Sequence, residues 1–258
     1  MVADPLAVEA SPVTVVLLAA AAFAAGLVDA IAGGGGLVTV PALLAAGLPA
    51  HVALATNKGQ AVFGAVASAA GYARKGAIER ARAPLALALG CVGSLLGAAG
   101  QLAMRPSALR PAVLVLLVAS AVVVSWPRPS GARVPLAHAP LLGAAAALFL
   151  GAYDGFFGPG VGTMLLVSFV LVYGDSLTRA SANAKVVNLA SNMAAFLLFT
   201  WRGNIVWPIA VAMGCANLTG AWVGAHLAVA RGDRFIRPVV LVVVAALVLK
   251  LAIDLRGP

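Results

Sequence analysis

Five stretches of this chain, residues 30–57, 83–104, 134–153, 155–174 and 203–230, contain no aspartate, glutamate, lysine or arginine. Each reaches the length of about 18 apolar residues at which a helix can cross the hydrocarbon core of a bilayer. Few folds are left open by runs of this kind. Lipid offers no hydrogen-bond partner to backbone groups, so a spanning segment is either a helix or a strand of a closed barrel. The strict alternation of a barrel strand is absent here. Composition agrees: of 258 residues, 10% are charged and 62% hydrophobic, against about 25% and 45–50% in soluble domains. The chain reads as all-α, a polytopic transmembrane helical bundle. A soluble enzyme, a secreted disulfide scaffold and a disordered chain are excluded.

The formal net charge of +9 does not point to nucleic acid. The basic residues sit in short clusters between apolar runs, where the positive-inside rule places them. Cys91 and Cys215 lie in apolar runs with no second ligand at metal spacing and read as small core residues. His51, His138 and His226 form no metal pattern, and His-Glu-x-x-His, Gly-x-Ser-x-Gly and Cys-x-x-Cys are all absent. No catalytic residue, metal or cofactor is therefore expected, and the chain reads as no enzyme. Asp4 and Glu9 stand where a signal peptide would carry positive charge, so the first apolar run, about 13–32, is expected to be retained.

An internal repeat organises the rest. Gly26-x-x-Asp29-x-x-x-Gly33-x-Gly35 recurs as Gly151-x-x-Asp154-x-x-x-Gly158-x-Gly160, 125 positions on; from Ala55/Ala182 the shift is 127, matching Lys58 to Lys185 and Arg110-Pro111 to Arg237-Pro238. Charged residues are too scarce for such a collinear register to arise by chance. We divide the chain into repeats 1–128 and 129–258, together one membrane domain. Expected helices are 13–32, 51–73, 84–103 and 111–126, then 135–150, 181–201, 208–230 and 238–253, several opened by a proline at the first turn. Short apolar segments, 37–48 and 162–173, follow the glycine-rich breaks; at ~1.5 Å per residue they cover only about 18 Å. If they cross, the second repeat is inverted and basic residues divide ten to four between the two faces; if they re-enter, about eight to six. The positive-inside rule favours the inverted arrangement.

The polar residues that interrupt this apolar background are the candidates for function. Asp29 and Asp154 stand at helix ends just before glycine breaks, with two open readings: cavity-facing carboxylates coupled to protons or substrate, or caps on the following helix. The breaks, around Gly34 and Gly35 and around Gly160 and Gly162, are either tight turns or sources of free N–H groups suited to an anion. Lys58 and Lys185 each begin a long helix near one membrane face, and either snorkel or balance an aspartate or a bound anion; Lys58, next to Asn57, is expected to balance Asp29. Ser181, Lys185, Asn188 and Asn192 share one helix face and read as a lining. Gly93-x-x-x-Gly97 and Gly220-x-x-x-Gly224 read as close helix packing.

These motifs, 26–41 with Ala55-Thr56-Asn57-Lys58 and 151–163 with Ala180 to Asn192, resemble the sulfite exporter TauE/SafE family of membrane permeases along nearly the whole chain. The resemblance implies a cytoplasmic-membrane transporter of small anions, often sulfur-containing, coupled to protons. The function expected is a secondary transporter, with a passive anion channel as the alternative. The substrate site is expected at Lys58, Lys185, Ser181, Asn188, Asn192, Asn57 and the glycines 34, 35, 160 and 162, with Asp29 and Asp154 carrying the proton or orienting the breaks. Expected partners are the anion and the bilayer, with self-association compatible and nucleic acid not among them.

Overall fold

A computed structural model describes residues 11–125 and 135–232. The described residues form nine helices: α1 (Pro12–Ala32), α2 (Gly36–Ala45), α3 (Ala50–Arg74), α4 (Ala83–Ala103), α5 (Pro106–Ser125), α6 (Ala139–Phe156), α7 (Val161–Tyr173), α8 (Leu177–Trp201) and α9 (Trp207–Arg231). No strand occurs among them. The expected helix 238–253, the Arg237-Pro238 pair and the boundary between 128 and 129 lie outside the described residues.

Four helices, α1, α4, α6 and α9, are long and apolar enough to cross a membrane. With 10 and 13 residues, α2 and α7 extend about 15 and 20 Å at ~1.5 Å per residue, short of a ~30 Å core. α3 and α8 have 25 residues each and bury most of the polar side chains. The bundle thus turns apolar side chains outward and keeps charged and amide side chains inside, within an otherwise apolar core. Val13, Leu17, Leu96, Leu141, Phe149 and Trp222 are exposed on its surface, where lipid would receive them, while Lys58, Asp154, Lys185 and Asn192 are buried.

Several boundaries differ from expectation, among them the start of α6 at Ala139 rather than 135 and the end of α2 at Ala45 rather than 48. Pro84 and Pro208 do sit in the first turns of α4 and α9, but Pro111 lies inside α5, which Pro106 opens. α6 continues to Phe156 and carries Asp154 within its last turn. α8 starts at Leu177, capped by Ser176 accepting from the Arg179 N–H. Lys185 is therefore eight residues into α8, as Lys58 is into α3. Two turns of helix lie between each lysine and the helix start, too far for the terminal dipole to act.

Packing is set by small residues. α1 packs most extensively on α9, and α4 on α6. A Cβ on Gly220 or Gly224 would collide with the Phe23 or Leu27 carbonyl of α1, and one on Gly93 or Gly97 with the Leu148 or Ala152 carbonyl of α6. Both Gly-x-x-x-Gly motifs are helix contacts, as expected. The order of these contacts gives helix direction. Positions advance together between α1 and α9 and between α4 and α6, so each pair is parallel. Gly64 and Gly71 of α3 meet Ala221 and Ala225 of α9, and Gly90 and Ser94 of α4 meet Val187 and Ser191 of α8. Where α3 meets α8 the order reverses: Lys58 reaches Asn192, and Tyr72 reaches Ser181. Helices α1, α3 and α9 point one way, and α4, α6 and α8 the other.

Candidate functional site

Both glycine-rich breaks end a helix and start another. Gly33 and Gly34 (φ 78 and 98°) end α1, and Gly158 and Gly160 (φ 99 and 85°) separate α6 from α7. These are left-handed conformations that glycine adopts without penalty. The breaks abut backbone to backbone: a Cβ on Gly162 would lie 2.9 Å from Gly33 Cα, and one on Gly36 3.0 Å from Pro159 Cα. No side chain larger than hydrogen fits at that meeting point.

Helix starts leave N–H groups without intrahelical acceptors. Gly35 N–H donates to Asp29 Oδ1 at 3.1 Å, so Asp29 caps the first break. Among the described residues, the N–H groups of Gly34, Gly36, Gly160 and Gly162 have no acceptor. All four glycines line one cavity with Asp29, Asn57, Lys58, Gln60, Asp154, Asn188, Asn192 and Asn217. Its open volume is about 40 Å³, room for about three waters at 10–15 Å³ each.

The other end of the first break is closed differently. The last carbonyls of α1 accept hydroxyls from three helices: Tyr72 donates to Ala30 O at 2.8 Å, Ser181 to Ile31 O at 3.3 Å and Thr163 to Ala32 O at 2.9 Å. Ser181 thus holds the end of α1 and is not on the cavity wall. At the second break, Tyr153 donates to Pro159 O at 3.0 Å and also bonds Ser120 of α5.

The charges are paired crosswise. Lys58 of α3 reaches Asp154 Oδ1 of α6 at 2.5 Å, and Lys185 of α8 reaches Asp29 Oδ2 of α1 at 2.6 Å. The expectation that Lys58 balances Asp29 is overturned, because the abutting breaks bring each aspartate against the lysine of the other half. Snorkelling is overturned as well: Lys58 and Lys185 are 2% and 1% exposed, held inside the protein by their counter-charges. The two pairs differ. Asp154 is 2% exposed, and its Oδ2 accepts from Asn188 and Asn192, each at 3.3 Å, and from Ser191. Asp29 is 27% exposed and faces the cavity. Lys58, which also reaches Asn192 Oδ1 at 3.2 Å, is on the wall; Lys185 lies behind Asp29 and is not.

The four-residue stripe on α8 therefore serves two places. Ser181 and Lys185 support the end of α1, while Asn188 and Asn192 hold Asp154, because α8 passes first one break and then the other. Ten of the twelve expected residues, Asp29, Gly34, Gly35, Asn57, Lys58, Asp154, Gly160, Gly162, Asn188 and Asn192, line the cavity. Gln60 and Asn217 were missed. Their signals were present: Gln60 is one turn past Asn57, and Asn217 is the lone amide in apolar α9.

The family profile of the sulfite exporter TauE/SafE family matches residues 18–251. A probable membrane transporter protein of Sinorhizobium sp is 35% identical over 249 residues, covering 92% of each chain. One from Haemophilus influenzae is 36% identical over 234 residues, covering 90% of this chain and 92% of its own. The probable membrane transporter protein YfcA of Escherichia coli K12 is 34% identical over 249 residues, with 96% and 93% covered. No solved structure matches.

Proposed function

The chain belongs to the TauE/SafE family of multi-pass membrane transporters, and on that premise we propose that it carries a small anion through the cavity between the two breaks, in the cytoplasmic membrane. The observation that carries this reading is the convergence of unpaired N–H groups from both helix starts with Lys58 and the Asn57 amide. Oriented N–H dipoles at helix starts attract anions, and paired half-helices of this kind serve that purpose in secondary transporters. Sulfite, the anion named in the family's description, and other small sulfur oxyanions suit a cavity this small.

The charge balance bears on coupling. Two lysines face two aspartates, so the quartet is formally neutral before any ligand enters. An anion drawn to Lys58 competes with Asp154, and one drawn toward Lys185 competes with Asp29. A proton taken up on either aspartate would release its lysine to the anion and keep the buried charge in balance. Proton-coupled carriage follows from that exchange, and Asp29 is the more exposed of the two carboxylates that line the cavity.

The test is a proteoliposome uptake screen over sulfite, thiosulfate, sulfoacetate, taurine and simple carboxylates, with and without a pH gradient. Saturable uptake of a sulfur anion that rises with the gradient is expected. Uptake that does not saturate and ignores the gradient would instead indicate a channel. No flux for any anion would reject the anion reading.

A further inference from the structure

We propose that Asn57, Gln60 and Asn217 form a donor wall that makes the cavity select oxyanions carrying no hydrogen of their own to donate. The inference rests on the anion reading above and narrows its substrate class. Three buried carboxamides from two helices are chained. Asn217 Nδ2 donates to Gln60 Oε1 at 2.6 Å, and Gln60 Nε2 donates to Asn57 Oδ1 at 2.9 Å. Thr39 Oγ1 of α2 donates to the same Asn57 oxygen at 2.6 Å. Every bond runs toward Asn57 Oδ1. The carbonyl oxygen of Asn57 takes two donors and that of Gln60 one, so the chain turns mainly N–H groups to the cavity.

Asn57 is 3% exposed, lines the cavity, and its Nδ2 has no acceptor among the described residues. Opposite it stand the free N–H groups of Gly34, Gly36, Gly160 and Gly162. Acceptors are fewer. Each oxygen of Asp29 already holds one donor and those of Asp154 hold one and three, and Asn192 Oδ1 receives Lys58. Asn217 Oδ1 is turned into the contact with Gly26 and Gly64, which leaves Asn188 Oδ1 as the amide oxygen on the wall that holds no donor among the described residues. A ligand built only of acceptors satisfies this wall. One that brings an O–H or an ammonium meets donors along the wall and must share a carboxylate oxygen that a lysine or an N–H already occupies, which weakens its binding.

Sulfate and hydrogenphosphate are nearly the same shape and differ by that one hydrogen. The experiment is calorimetric titration of the purified full chain with sulfate, thiosulfate and hydrogenphosphate, at a pH where phosphate keeps its last proton. The wild-type protein is expected to prefer sulfate or thiosulfate over hydrogenphosphate by about tenfold or more. Gln60→Met combined with Thr39→Val removes both donors that hold the Asn57 oxygen and frees it to turn outward, and Asn217→Ser removes the head of the chain. In either variant, once size exclusion shows it folded, the preference should fall toward parity. Equal wild-type affinity for both kinds of anion overturns the donor wall while leaving anion binding intact. So does an unchanged preference in a folded variant. Absence of binding by all three anions, together with no flux in the uptake screen, rejects the anion reading and this inference with it. The wild-type preference decides the matter even if both variants fail to fold.

Discussion

At the scale of the residue, the two lysine–aspartate pairs make different demands on the protein. Lys58→Ala strands Asp154, which is 2% exposed, so stability should fall by about 3–5 kcal/mol, the usual cost of breaking a buried pair. Lys185→Ala strands Asp29, which is 27% exposed and keeps the Gly35 N–H. Its loss should be smaller, about 1–3 kcal/mol. Thermal unfolding of detergent-purified protein measures both, and equal losses would contradict the ranking. Lys58→Met combined with Asp154→Asn should recover most of the first loss, because no charge is left unpaired. All four charged residues could be picked from the sequence, since charge is rare inside apolar runs. Their pairing could not. Lys58 follows Asp29 within 29 residues, and nothing local says that the breaks meet and exchange partners. Gln60 and Asn217 stand out as amides in apolar helices, but such a signal gains meaning only from what faces it.

Among the helices, small residues decide which surfaces meet. Gly220 sits over the Phe23 carbonyl and Gly97 over the Ala152 carbonyl, so neither helix pair can admit a side chain without separating. Gly220→Leu should destabilise by at least the ~1–3 kcal/mol typical of overpacking. Gly76→Ala, at an exposed turn with φ 66° and nothing within 4 Å, should cost only about 1 kcal/mol of backbone strain. Unfolding midpoints of the two variants distinguish these outcomes; a Gly220→Leu protein as stable as Gly76→Ala would refute the packing argument. Helix existence and the two packing motifs follow from apolar length and small-residue spacing. Ends are harder to place. Ser176 caps α8 five residues before the expected start, and Pro111 is carried inside α5, because tertiary contacts can hold a helix through a local break.

Considered whole, the molecule fixes relative direction. Since α3 and α9 run parallel, their ends at Gly76 and Gly232 lie on one side, and Ser11 at the start of α1 lies on the other. On this sense of run we propose the inverted arrangement of two repeats. Arg74, Lys75, Arg80 and Arg82 border Gly76, so that side should be cytoplasmic. In intact cells, single cysteines at Gly76 and Gly232 should resist a membrane-impermeant thiol reagent, and one at Ser11 should react. Opposite accessibility of Gly76 and Gly232 would reject the arrangement. In every such experiment Cys91 and Cys215, both free, must first be replaced.

The crosswise pairing also bears on whether the polypeptide needs to be continuous. Lys58 and Asp29 lie before residue 125, and both of their counter-charges lie after residue 135. The strongest helix contacts, α1 with α9 and α4 with α6, likewise join one side of that gap to the other. The peptide link between the halves is therefore not what holds them together. Produced as two polypeptides, 1–128 and 129–258, each piece alone would present a lysine and an aspartate without their native partners and an unpaired glycine-lined surface. Neither piece should accumulate by itself, whereas co-production should yield both, purifying as one complex through a tag on either. Fragment complementation of this kind would make the two halves separately labelled reporters of each other.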